Sequence, residues 1–88
     1  MEQKSKIVLF ALSTCQACKK TKTYLNDKGL EYILVELDTV DTDSREKLLK
    51  ELRKYNPRET FPTVVVDGGA KVMVGYDEQV INGFFNQL

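Results

Sequence analysis

Apolar positions along this chain alternate between two periods. Lys6-Ile7-Val8-Leu9-Phe10-Ala11-Leu12 is an apolar run of strand length, and Ser13-Thr14 break it. From about 16 to 28 the spacing turns helical, with Ala17, Thr21, Tyr24 and Leu25 on one inner face. Gly29 follows in the C′ position, where a left-handed residue ends a helix. Tyr32-Ile33-Leu34-Val35-Glu36-Leu37 reads as a second strand. Asp43-Ser44-Arg45-Glu46 resembles a capping box and predicts the start of a second helix. Its stripe is Leu48, Leu49, Leu52 and Tyr55, and Asn56-Pro57 ends it, because the residue before a proline is pushed out of the helical region. Thr63-Val64-Val65-Val66 and Lys71-Val72-Met73-Val74 flank Asp67-Gly68-Gly69 as a hairpin. After Tyr76, Asp77 caps a third helix that buries Val80, Ile81, Phe84, Phe85 and Leu88.

The predicted order is therefore βαβαββα, an α/β arrangement. A right-handed βαβ unit followed by an antiparallel hairpin implies a four-stranded mixed sheet with three helices packed on both faces. Eighty-eight residues provide one core, so residues 1–88 are expected to form a single domain.

Charge changes this picture little in sum and more in detail. Thirteen Lys+Arg balance thirteen Asp+Glu, which argues against a dedicated nucleic-acid or membrane binder. The first thirty residues nevertheless carry six lysines against Glu2 and Asp27, so the basic end is the end that holds both cysteines. No apolar run approaches transmembrane length, and the six residues Ile7 to Leu12 are short for a signal-peptide core. A cytoplasmic protein is expected, and there a cysteine pair is more often catalytic or metal-binding than structural.

The candidate chemistry lies in Cys15-Gln16-Ala17-Cys18, where the first strand hands over to the first helix. A cysteine at a helix N-terminus faces unpaired backbone N–H groups and the positive end of the helix dipole, which favour thiolate over thiol. A cysteine three residues later lies about one turn away, within reach of a disulfide. A bridge over so short a loop constrains the unfolded chain little, so its purpose is chemical. Cys15 is the candidate nucleophile and Cys18 the candidate resolving thiol. The chain has no histidine, which excludes a Cys–His protease site. Two cysteines without histidine cannot complete a tetrahedral zinc site in one chain. Two chains together could hold zinc or a [2Fe–2S] cluster through four thiolates, so a metal or iron–sulfur cluster carrier is the rival reading. Lys19, Lys20 and Lys22 fall on the outer face of the first helix, either as a solvated face or as an attraction for an acidic partner.

Four segments together resemble the glutaredoxin family, within the thioredoxin fold. They are Ser13-Thr14-Cys15-Gln16-Ala17-Cys18 after the first strand, Thr60-Phe61-Pro62-Thr63 before the third, and Val66-Asp67-Gly68 and Val74-Gly75-Tyr76-Asp77 around the fourth. The likeness covers essentially the whole chain. It implies a dithiol disulfide reductase that acts on protein disulfides and glutathione mixed disulfides, serving electron transport and cell redox homeostasis. Cys15 and Cys18 would be catalytic, while Thr14, Gln16, Phe61, Pro62, Gly75, Tyr76 and Asp77 would bind substrate or glutathione. A cis Phe61–Pro62 bond is implied as well, with the Phe61 backbone turned toward an extended substrate. No bound cofactor or metal is implied; glutathione would be a co-substrate, and the protein a monomer. The chain departs from the family pattern in two places. Gln16-Ala17 stands where Pro-Tyr is usual, and Tyr76 stands where a second glycine usually helps hold glutathione. Glycine followed by an aromatic residue is similar to the redoxin that serves ribonucleotide reductase. The implied electron source is therefore either glutathione or a thioredoxin-reductase-type flavoenzyme.

Overall fold

The computed structural model describes residues 5–85. Four strands and three helices follow one another as β1 (Ile7–Ala11), α1 (Gln16–Asp27), β2 (Ile33–Glu36), α2 (Thr42–Tyr55), β3 (Thr63–Val66), β4 (Lys71–Val74) and α3 (Glu78–Phe85). The strands form one mixed sheet in the order β2-β1-β3-β4. β1 pairs parallel to β2, with Val8 opposite Ile33, and antiparallel to β3, with Val8 opposite Val65. β3 pairs antiparallel to β4, with Val64 opposite Met73. This is the thioredoxin-like α/β arrangement that the element order predicts.

Alternation along the central strands sorts the core into two layers. Ile7, Leu9 and Ala11 of β1, with Val64 and Val66 of β3 and Met73 of β4, face α1 and α3, where they meet Cys18, Leu25, Ile81 and Phe85. Phe10 and Val65 point the other way, onto Leu52 of α2 and Leu37. Because both central strands are covered on both faces, they read as continuous apolar runs. Leu9, Leu25, Leu52, Val64 and Ile81 are fully buried, each contributing about 1.5–3 kcal/mol of transfer free energy. The edges are less covered: Ile33 and Leu34 of β2 and Val74 of β4 are exposed.

Three sequence expectations shift. The α2 cap is Asp41, whose carboxylate accepts the Ser44 N–H at 3.2 Å, so the helix opens at Thr42 and Asp43 lies inside its first turn. The inner line of α1 is Cys18, Thr21 and Leu25, with Ala17 only half-buried. Val80 is 56% exposed, because the short α3 turns only Ile81 and Phe85 fully onto the sheet. The hairpin turn places both Asp67 and Gly68 in the left-handed region, and Asp67 Oδ1 accepts the Lys6 N–H at 2.9 Å. Leu88 lies outside the described residues. Among the described residues, no helix is long and apolar enough to cross a membrane.

Candidate active site at the β1–α1 junction

Cys15 is the N-cap of α1. Its backbone is extended (φ −82°, ψ 118°), its amide donates to the Leu12 carbonyl at 3.2 Å, and its carbonyl accepts the Lys19 N–H at 3.1 Å. Where an N-cap is usually an oxygen-bearing side chain, the Cys15 Sγ here accepts the Cys18 N–H at 3.2 Å. No acidic residue stands in the first turn of α1, so no carboxylate competes with the sulfur at this helix end. Cys15 is half-buried and Cys18 wholly buried, and both are free thiols.

The two sulfurs are electrically linked. Burial pushes the Cys18 thiol up to about 12; a hydrogen bond to Cys15 and the Cys15 charge add to this, while Leu12 backbone and the Lys22 ammonium oppose it. At neutral pH Cys18 keeps its proton. Iodoacetamide should accordingly label Cys15 and spare Cys18 in the folded reduced protein, as read by peptide mass mapping. Equal labelling of both would contradict this burial.

The loop before Cys15 is held by a residue that the sequence pattern does not single out. Ser13 donates both its amide and its hydroxyl to the Asp38 carboxylate, the amide at 2.9 Å. These two bonds hold the Asp38 carboxyl below the usual carboxylate range, so the clamp is complete above that range and is lost as pH falls through the lowered folded value. Exchange of the Ser13 amide should therefore accelerate in acid beyond its intrinsic pH dependence. Asp38→Asn should remove that acid-sensitive component; a wild-type amide with only intrinsic dependence would dismiss the clamp. Asp41 is lowered in the same way by Ser44, which is why the probe must be local.

The other singled-out residues converge on the same end of the sheet. The Phe61–Pro62 bond is cis, Pro62 is buried, and its carbonyl accepts the Gly75 N–H at 2.8 Å. Gly75 has φ +82°, a conformation a side chain would strain. Cys15, Phe61 and Tyr76 all pack against the core cluster that contains Cys18 and Ile81. Gln16 and Tyr76 line one groove of about 370 Å³. Thr14 is exposed beside Cys15. Asp77 caps α3, its Oδ1 accepting the Gln79 and Val80 amides at 2.9 and 3.2 Å. The three lysines of α1 separate: Lys19 and Lys20 are exposed, whereas Lys22 is half-buried and paired with Glu36 of β2 at 2.8 Å.

Comparison with known proteins gives this geometry its family. The family model described as glutaredoxin matches residues 7–70. An uncharacterised glutaredoxin-like 8.6 kDa protein in the rubredoxin operon of Clostridium pasteurianum is 30% identical over 76 residues, which are 86% of this chain and 92% of that one. Among solved structures, Methanosarcina acetivorans methanoredoxin is 36% identical with a TM-score of 0.82, over 89% of this chain and 81% of its own. The glutaredoxin-like NrdH-redoxin of Escherichia coli shares the fold, with a TM-score of 0.68 at 20% identity over 89% of this chain and 92% of its own. The chain belongs to the glutaredoxin family, whose general chemistry is thiol–disulfide oxidoreduction.

Proposed function

We propose that this protein is a dithiol disulfide reductase that reduces protein disulfides and glutathione mixed disulfides through Cys15 and Cys18. One observation carries the reading: a half-exposed Cys15 caps α1, and a fully buried Cys18 directs its amide at the Cys15 sulfur from 3.2 Å. The Cys15 thiolate attacks one sulfur of the client disulfide. A Cys15–client S–S bond forms, the client S–S bond breaks, and the other client sulfur leaves as thiolate. Cys18, deprotonated, then attacks Cys15 Sγ, forming the Cys15–Cys18 disulfide and releasing the second client thiolate. Two electrons pass to the client, whose two thiolates take up the protons that the dithiol loses.

The coupling between the sulfurs orders these steps. In the reduced protein the Cys15 hydrogen bond and charge help keep Cys18 protonated. Once Cys15 is bound in a mixed disulfide, its charge is gone and its hydrogen-bonding strength falls. Cys18 then becomes easier to ionise at the moment it has a disulfide to attack.

The remaining residues receive binding roles. Among the described residues none makes a hydrogen bond to the Phe61 backbone, so its N–H and C=O can pair with an extended client segment. Pro62 and Gly75, joined by their hydrogen bond, hold that segment opposite Cys15. Thr14, Gln16 and Tyr76 flank the reacting sulfur, and Asp77 fixes the turn that presents Tyr76. The protein acts in the cytoplasm as a monomer. It is re-reduced by glutathione or by a thioredoxin-reductase-type flavoenzyme.

The test is NADPH consumption with a small disulfide substrate, coupled either to glutathione and glutathione reductase or to thioredoxin reductase alone. Turnover in the first mixture makes glutathione the electron source; turnover in the second alone makes it the flavoenzyme. A reduced protein that transfers no electrons to the disulfide, even stoichiometrically, overturns the reductase reading and favours the cluster carrier.

A further inference from the structure

Lys22 follows Cys18 by four residues on α1, so the two side chains leave the helix on one face, about 5–6 Å apart at their Cβ atoms. Cys18 is wholly buried against apolar side chains of the sheet and α3, among them Ala11, Val64 and Ile81. Lys22 is half-buried, and Glu36 of β2 holds its ammonium at 2.8 Å. Lys19 and Lys20, by contrast, are exposed. The second exchange step needs a cation in the place that Lys22 occupies. When Cys18 attacks, negative charge develops on a sulfur whose thiol is pushed up to about 12 by burial first and by Cys15 second. The Leu12 backbone and the Lys22 ammonium work against that rise, and Glu36 is not among the groups that add to it. Glu36 holds the Lys22 ammonium above the ordinary lysine range, so Lys22 keeps its proton and acts as a fixed charge. The first attack makes no such demand, because Cys15 is half-exposed at the helix N-terminus.

Resting on the reductase reading above, we propose that Lys22 is a positioning residue for client release, acting through Cys18: its ammonium, anchored by Glu36, stabilises the negative charge that develops on Cys18 Sγ as the mixed disulfide is resolved. In that step the Cys18 S–H bond breaks and its proton passes to solvent. Cys18 supplies the electron pair of the new Cys15–Cys18 bond. The Cys15–client bond breaks, and the client sulfur departs with that bond's pair and takes a proton from solvent. Lys22 neither gives nor takes a proton. Its effect is confined to the second step.

The test separates the two steps in time. Reduced protein is mixed with excess peptide disulfide, quenched in acid at successive times and weighed intact. The adduct of protein plus one client half forms in the first step and decays in the second. Lys22→Met keeps the alkyl stem and removes the charge. Its adduct should form within about twofold of the wild-type rate and decay about five- to tenfold more slowly. Lys22→Arg restores a cation that can pair with Glu36, and its decay should return to within about twofold of wild type. Glu36→Gln keeps an acceptor for the ammonium but removes the counter-charge, so decay there should be unchanged or faster. If Lys22 only ties α1 to β2, Glu36→Gln should instead slow decay as Lys22→Met does. Slowed decay in Glu36→Gln overturns the assignment whether or not Lys22→Met folds. Unchanged decay in Lys22→Met, equal slowing of both its steps, or no rescue by Lys22→Arg would overturn it too. A wild type that forms no adduct and transfers no electrons would overturn the reductase reading beneath it.

Discussion

Cys15→Ser is expected to lower disulfide turnover at least about 10³-fold, to the background of the assay, because an oxygen nucleophile cannot form the S–S bond on which exchange depends. Cys18 cannot replace it. Cys18 is wholly buried, and with its thiol pushed up to about 12 its thiolate fraction at pH 7 is on the order of one part in 10⁵. Removing Cys15 abolishes part of that shift, but burial, its largest cause, remains. Cys18→Ser should give a different result. Cys15 still attacks, the mixed disulfide has no internal resolving thiol, and the adduct accumulates as a species whose mass equals protein plus client. Intact-mass spectrometry after mixing with a peptide disulfide distinguishes the two variants. A Cys15→Ser protein that turns over, or that forms the adduct through Cys18, would refute the assignment of nucleophile and resolving thiol.

How much of this was legible in the sequence depends on the range of the interaction that specifies each feature. β3 and β4 have the bounds that their valine-rich runs predict, and Gly29 follows α1 with φ +67°, because strand propensity and helix termination are local signals. Cys15 at the N-cap was legible for the same reason. The start of α2 was harder, since Asp41 and Asp43 are both competent caps and only the backbone shows which carboxylate reaches the Ser44 amide. Helical spacing places Val80 near the apolar stripe, but only Ile81 and Phe85 of the eight-residue α3 are buried and Val80 stays outside. Cys18 was read as chemistry and not as core, though it is as buried as Leu9. Asp38 and Asn56 were missed as site supports. The first meets Ser13 across 25 residues of sequence, and no local pattern encodes such a pairing.

Asn56 is the position where loss of one polar side chain should cost the fold most. It is buried at the C-terminal end of α2, with extended backbone that the following Pro57 favours. Its backbone N–H still donates to Leu52 at 2.8 Å, and its carbonyl accepts from Glu59 at 3.0 Å. Its side chain is used at both ends. Nδ2 donates to Thr63 Oγ1 and to Thr60 Oγ1, each at 3.0 Å, and Oδ1 accepts the Arg58 N–H at 3.1 Å. Thr63, wholly buried, donates its own hydroxyl to the Thr60 carbonyl at 2.8 Å. One amide thus ties the end of α2 to the start of β3 across the loop that carries Phe61 and Pro62. Asn56→Ala removes these bonds together and leaves the Thr63 hydroxyl without its donor, at a cost of about 2–4 kcal/mol. In a domain of this size that lowers the melting temperature by about 10 °C or more, with an earlier urea midpoint. Asn56→Asp should also destabilise, because a carboxylate cannot donate to either threonine. Arg53 of α2 and Glu59 of that loop form a 2.9 Å ion pair, but both side chains are substantially exposed, so Glu59→Ala should cost less than about 1 kcal/mol. If Asn56→Ala melts as the wild type does, or if Glu59→Ala is the more damaging of the two, the loop is held by its surface and not by Asn56.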